Sequence, residues 1–206
     1  MTRILLVRHG SVEGIDPERF RGRAETPLTD LGRRQASATG ERIAAHWQPS
    51  VIYTSPMGRC VATARAIAAS TGCAVKAIDQ LNDLDYGQWQ WKTFVEVQAD
   101  SAALFDRWFS APELVRFPSG ESLQDLLGRT ADALRLFIDD HPRETLVVVG
   151  HDSVNRAILL QLLQQSPSTY WRLVQSPCGI SEIDIDHEHT RVVRINETAH
   201  VEGLTP

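Results

Sequence analysis

Three short aliphatic runs without polar alternation, Ile4-Val7, Val51-Thr54 and Leu146-Val149, constrain this chain most. A strand with one wet face alternates apolar and polar residues; a strand that does not is covered on both faces, as in a parallel sheet between helical layers. Parallel neighbours need long crossovers, and the stretches between these runs carry helical patterns. The expectation is an α/β fold, a three-layer α/β/α sandwich with a mostly parallel central sheet.

Local signals mark the helices. Thr29 is a good N-cap for a helix from Asp30 to Trp47, with Ala36, Ile43, Ala44 and Trp47 on one face, Gly40 leaving room for close packing, and Pro49 beyond its end. Ser55-Pro56 reads as an N-cap with proline at the first helical position, opening a helix to about Thr71 that stops at Gly72. Arg59 then falls in that helix's first turn. Ser122 and Asp125 have capping-box spacing, followed by Leu123, Leu126, Leu127, Leu134, Phe137 and Ile138 until Pro142. A terminal pair of strands is expected at about 180–185 and 192–195. The stretch from Leu81 to Gly120, rich in Trp, Tyr, Phe and acids, reads as an irregular insertion over one sheet face of a single domain spanning 1–206.

Composition narrows the function. With 42% hydrophobic and 23% charged residues, 206 residues can bury a real core without staples. Cys60, Cys73 and Cys178 cannot all pair and lack metal-site spacing, so reduced thiols in the cytoplasm are expected. The apolar run after Met1 is too short for a signal peptide, and no window is long enough to span a membrane. Acidic residues outnumber basic ones, 26 to 21, which argues against a nucleic-acid partner.

Ligands of open α/β sheets bind beyond the carboxyl ends of the strands. There the sequence places Arg8-His9-Gly10 after the first run, Ser55-Pro56 with Arg59 after the second, and Gly150-His151-Asp152 after the third. Two guanidiniums converging on one point suit a phosphoryl dianion, and a helix N-terminus near Arg59 adds to the attraction. A neutral histidine beside them can attack phosphorus. Any one of these residues alone reads as structural; their conjunction at three strand ends does not.

In order along the chain stand Leu6-Val7-Arg8-His9-Gly10, Arg21-Gly22, Pro27-Leu28-Thr29 with Gly32, Thr54-Ser55-Pro56 with Arg59 and Thr63-Ala64, Gly120-Glu121-Ser122, and Val149-Gly150-His151. This set resembles the histidine phosphatase superfamily, in its phosphoglycerate mutase-like branch. The resemblance implies a phosphohistidine on His9, a phosphoryl group held by Arg8, Arg59 and His151, and a phosphate pocket lined by Arg21 and Gly22. It implies no metal or cofactor and a small phosphorylated metabolite as partner, with a homodimer compatible.

The sequence also departs from that pattern. Relatives carry a glutamate proton donor in Leu-x-Glu-x-x-Phe-Gly-x-Trp; here Leu81 to Trp89 puts Asp83 at that position. Asp152 is the second candidate acid, because the acid phosphatase branch uses a His-Asp pair, and its bland reading is an N-cap for a helix starting near Ser153. The frequent Glu-Thr-x-x-Asn reads Ser11-Val12-Glu13-Gly14-Ile15, without the asparagine. Trp89, Trp91 and Trp108 are candidates for substrate walls or for core packing. A metal-independent phosphomonoesterase leads; the alternatives are a phosphoglycerate mutase with the same phosphohistidine and a phosphate-binding module with little turnover. Ser153 as a hydrolase nucleophile is weaker, since Gly150 to Val154 does not match G-x-S-x-G.

Overall fold

A computed structural model describes residues 1–13, 18–186 and 188–205. Its sheet has six strands: β1 (Thr2–Arg8), β2 (Val51–Thr54), β3 (Ala74–Ala77), β4 (Thr145–Gly150), β5 (Ile180–Ile185) and β6 (Thr190–Glu197), in the order β3-β2-β4-β1-β5-β6. β1, β2, β3 and β4 pair in parallel, β5 runs antiparallel to β1, and β6 antiparallel to β5. The three aliphatic runs are the adjacent central strands, and their residues are buried on both faces.

The α-helices among the described residues are α1 (Asp30–His46), α2 (Gly58–Thr71), α3 (Phe94–Ser110), α4 (Leu123–Asp140) and α5 (Asp152–Leu162). Leu5, Val7, Ile52, Val147 and Val149 pack with Ile43 of α1 and Ala64 and Ile67 of α2. From the opposite face Ile4, Leu6, Tyr53 and Val148 pack with Leu126 and Phe137 of α4 and Ile158 of α5. These are the three expected layers. The 81–120 stretch adds Leu84, Trp89, Trp108 and Phe117 to the α4/α5 side.

The caps explain the helix boundaries. The Thr29 hydroxyl accepts from Gly32 N, Gly72 closes α2 at φ +73°, and Ser122 with Asp125 forms the capping box of α4. Gly40 meets α2 so closely that a Cβ there would come within 2.9 Å of the Ala66 carbonyl oxygen. Several expectations are corrected. Ala44 and Ile138 are exposed, because each lies at the edge of its helix's apolar stripe. α2 begins at Gly58 rather than Pro56: Ser55 Oγ accepts from Met57 N, so Ser55-Pro56 form a turn before the helix. Asp152 is the first residue of α5 rather than its N-cap, which is His151. β3 has no counterpart in the sequence reading, being a mostly exposed edge strand. α3 likewise lies inside the stretch read as irregular; Thr93 and Glu96 make its capping box, and Ser101 interrupts its helical dihedrals. Among the described residues no helix is long and apolar enough to cross a membrane.

Candidate active site

β1, β2 and β4 end at the same edge of the sheet, and this brings the strand-end residues together. Gly10 sits against α1: a Cβ on it would lie 2.4 Å from the Gly32 carbonyl oxygen, so the backbone after His9 follows the start of that helix closely. His9 N donates to Gly150 O at 3.0 Å, tying the β1 exit to β4. The Asn155 amide, oriented to donate to His151 O and accept from Arg8 N, secures the same junction.

His9 is 2% exposed and its ring lies 5.3 Å from that of His151, edge to face. Burial, then the neighbouring His151, Arg8 and Arg59, hold its pKa well below the usual histidine value. The ring is therefore neutral at pH 7. Its Nδ1 is 2.8 Å from the Gly10 carbonyl oxygen, an acceptor only, which assigns the proton to Nδ1 and leaves the Nε2 lone pair for a ligand. Burial and then Arg59 likewise keep His151 neutral. The Nε2 of His151 is 2.9 Å from Ser55 Oγ, a role for Ser55 that its capping signal did not reveal.

Arg59 is fully buried. It donates from Nε to His151 Nδ1 (3.3 Å), from Nη1 to Ala24 O (2.8 Å), and from Nη2 to Gly22 O (2.6 Å) and the Asp83 carboxylate (3.0 Å). Gly22 holds φ +45°, a left-handed conformation that suits glycine and presents its carbonyl to Arg59. Asp83 lies 3.3 Å from His151 Nδ1 and accepts from Leu84 N and Ser153 Oγ. Ser153 thus acts as a hydrogen-bond donor to the Asp83 carboxylate.

A second arrangement fixes the backbone around Asp83. Its carbonyl accepts from both Arg23 Nε (3.2 Å) and Arg129 Nη2 (3.0 Å), and Glu121 bridges these two arginines while accepting from Asp85 N. Neither Arg23 nor Arg129 stood out in a chain with so many arginines. The Gly120-Glu121-Ser122 motif was the one available signal: Glu121 anchors the acid-bearing segment and Ser122 caps α4.

His9, Arg8, Arg21, Gly22, Asp83 and Asp152 line a recess of about 40 Å³. Arg59 and His151 stand behind its wall, Arg59 bonded to Asp83 and His151 next to it. Arg8 is 9% exposed, donates from Nη1 to Gln175 O, and among the described residues leaves its buried Nε without an acceptor. The recess opens into a cleft of about 430 Å³, and Arg8, Arg19, Arg21, Tyr86 and Asp152 line both. Of the three tryptophans, Trp108 borders the cleft, Trp89 is core, and Trp91 is exposed under the Arg19 guanidinium. Gly14 and Ile15, where the sequence lacks the family's asparagine, lie outside the described residues, as does His187 of the β5–β6 connection. Among the described residues no group of three or more His, Cys, Asp or Glu side chains could hold a metal ion.

The arrangement places a neutral histidine, Arg8, Arg21 and two carboxyl groups around one recess. Phosphoserine phosphatase 1 of Hydrogenobacter thermophilus is 29% identical over 98% of this chain and 95% of its own length. A metal-independent phosphoserine phosphatase of Arabidopsis thaliana is 33% identical over 81% of this chain and 71% of its own. The solved structure of Bacillus stearothermophilus YhfR superposes with a TM-score of 0.92 at 26% identity, covering 98% of this chain and all of that one. The model of the histidine phosphatase superfamily, branch 1, matches residues 4–198, so the chain belongs to that superfamily and is a phosphatase.

Proposed function

We propose that the protein hydrolyses a small phosphorylated metabolite without metal, through a phosphohistidine on His9. The observation that carries this reading is the neutral His9 ring, its Nδ1 proton held by Gly10, in a recess lined by Arg8 and Arg21. Neutral imidazole is the nucleophilic form, and fixed guanidiniums stabilise the charge on the transferring oxygens.

The phosphoryl group enters the recess on Arg8 and Arg21, with its phosphorus facing His9 Nε2. Here Arg59 donates to the Asp83 carboxylate; phosphoryl oxygens compete for that donor. Two like charges brought into one recess hold a proton between them, and Asp83 delivers it to the ester oxygen as the P–O bond breaks and the N–P bond forms. Asp83, now a carboxylate, takes a proton from water, whose oxygen attacks phosphorus and frees His9 and inorganic phosphate. Asp83 is preferred to Asp152 as the acid because it accepts hydrogen bonds from Arg59 and Ser153 beside His151, whereas Asp152 pairs with Arg156. The free thiols of Cys60, Cys73 and Cys178 suit a cytoplasmic enzyme.

The test is phosphate release from a panel of small phosphomonoesters in chelator, by wild type and His9→Ala. Turnover by wild type alone, with an acid-labile phosphoryl group recovered on His9 after quenching, is the expected result. Turnover that survives in His9→Ala, or that needs an added divalent ion, overturns the mechanism.

A further inference from the structure

One hydroxyl lining the recess bonds a distant segment of the chain and not its own helix. Ser153, the second residue of α5, is 2% exposed and borders the recess beside Asp83. The N-cap of α5, His151, makes no side-chain cap, and the Ser153 hydroxyl reaches Asp83, 70 residues earlier in the sequence. Leu84 N donates both to Asp83 Oδ1 (2.9 Å) and to Ser153 Oγ (3.3 Å). Because Oγ turns a lone pair to that N–H, its own proton goes to Asp83 Oδ1. Oδ1 thus accepts from two protein donors, which occupy both its lone pairs. Oδ2 is placed differently: it accepts from Arg59 Nη2 at 3.0 Å and lies 3.3 Å from His151 Nδ1. Arg23 and Arg129 hold the Asp83 backbone carbonyl. They do not fix the carboxyl torsion, which is soft and exchanges the two oxygens when it turns.

The two oxygens fare differently when an ester binds. A phosphoryl oxygen competes for Arg59 Nη2, so Oδ2 is the oxygen that loses a donor. The donors to Oδ1, Leu84 N and the Ser153 hydroxyl, take no part in that exchange. The proton that ester and carboxylate then share finds an open lone pair on Oδ2 and none on Oδ1. Resting on the reading of Asp83 as the acid, we infer that Ser153 is a positioning residue for the proton transfer: its hydroxyl pins Oδ1 while Oδ2 exchanges Arg59 for the proton. The proton then leaves from Oδ2 to the ester oxygen as the P–O bond breaks, and Oδ2 regains Arg59 when phosphate departs. Without the hydroxyl, Oδ1 keeps only Leu84 N, the carboxyl turns, and the proton is divided between two oxygens, one of them badly aimed.

The test is phosphate release from glycerol 3-phosphate and p-nitrophenyl phosphate by wild type, Ser153→Ala, Asp83→Asn and the double variant. Ser153→Ala is expected to lower kcat about tenfold on glycerol 3-phosphate, the scale of one hydrogen bond to a charged group. On p-nitrophenyl phosphate, whose leaving group needs little protonation, kcat should stay within about twofold, as should KM for both esters. The alkaline limb of kcat, where the acid loses its proton, should move up by about one pH unit, because the missing donor favoured the carboxylate. In Asp83→Asn the same substitution should change either rate by no more than about twofold, since Ser153 acts through the carboxyl group. Equal losses on the two esters, no loss on either, or a further tenfold loss on top of Asp83→Asn overturns the proposal. If Asp83→Asn itself spares glycerol 3-phosphate as much as p-nitrophenyl phosphate, the reading of Asp83 as the acid fails, and the proposal falls with it.

Discussion

The recess and the cleft are neighbours built by different means. The recess is made by strand ends and the turns after them, and its residues are tied to one another: Arg59 alone bonds His151, Asp83, Gly22 and Ala24. The cleft is walled largely by side chains from residues 18–21, from α3, from α5 and from the stretch after it, aromatic rings alternating with charged groups, and Arg156 is only partly paired. The difference separates two tasks. Phosphoryl transfer needs charges and donors preorganised to a fraction of an ångström, which a buried parallel sheet supplies. Discrimination among esters needs a wall whose composition can change without disturbing that edge.

Variants in the recess should therefore abolish chemistry and leave the cleft intact. His9→Ala is expected to lower phosphate release by about 10⁴-fold or more, the scale seen when a nucleophile is removed. Its thermal midpoint should stay close to that of wild type, since the ring fills no hydrophobic layer. A loss of ester binding by this variant would break the separation. Asp83→Asn is expected to cost about 10²–10⁴-fold on alkyl phosphates, the usual worth of general acid catalysis. The loss should be far smaller on p-nitrophenyl phosphate, whose leaving group needs little protonation. Equal losses on both, or a larger selective loss in Asp152→Asn, would move the acid to the boundary between recess and cleft.

The two regions also differed in how much of them could be read from sequence. The unbroken aliphatic runs gave β1, β2 and β4, and the residues after each run gave His9, Arg8, Arg59, His151 and Asp152, because the physics there is local: a strand buried on both faces, then a turn. Glu121 was visible only as part of a motif, and Arg23 and Arg129 were hidden among 19 arginines, since what distinguishes them is a shared acceptor, the Asp83 carbonyl, far away in the chain. α3 escaped notice because its apolar residues point partly toward Phe20 and Trp171, so its stripe is broken and its rings look like loop aromatics. The stacking of Arg156 on Tyr170 and Trp171 joins α5 to a turn beyond its end, a contact no periodicity announces.

A variant in the cleft should do the reverse. Trp108 is 1% exposed and its ring packs against Tyr86, Phe117, Tyr170 and Trp171. Trp108→Ala is expected to cost about 3–5 kcal/mol of stability, measured by denaturant unfolding. Affinity for inorganic phosphate, which needs only the recess, should hold in the folded fraction. A parallel loss of phosphate binding would show that the aromatic wall also supports the strand ends.

The smallest effect sharpens the description of the recess itself. Burial and nearby positive charge depress the pKa of His9 and His151 in the folded protein, while an unfolded histidine titrates near the reference value of about 6.5. Below that value the unfolded chain binds protons that the folded protein refuses, so stability falls as pH drops, and it continues to fall until pH reaches the depressed folded values. At one pH unit below the reference, each histidine costs on the order of 1 kcal/mol. Denaturant midpoints taken between pH 7.5 and 5.5 should show this decline in wild type and about half of it in His9→Ala. His200, half-buried and also depressed by burial, contributes to both proteins and drops out of the difference. Identical declines would mean that folded His9 takes up its proton as readily as an unfolded histidine. Below about pH 6.5 the recess would then hold an imidazolium, which has no lone pair for phosphorus, and the contrast between a preorganised nucleophile and an adaptable wall would fail there.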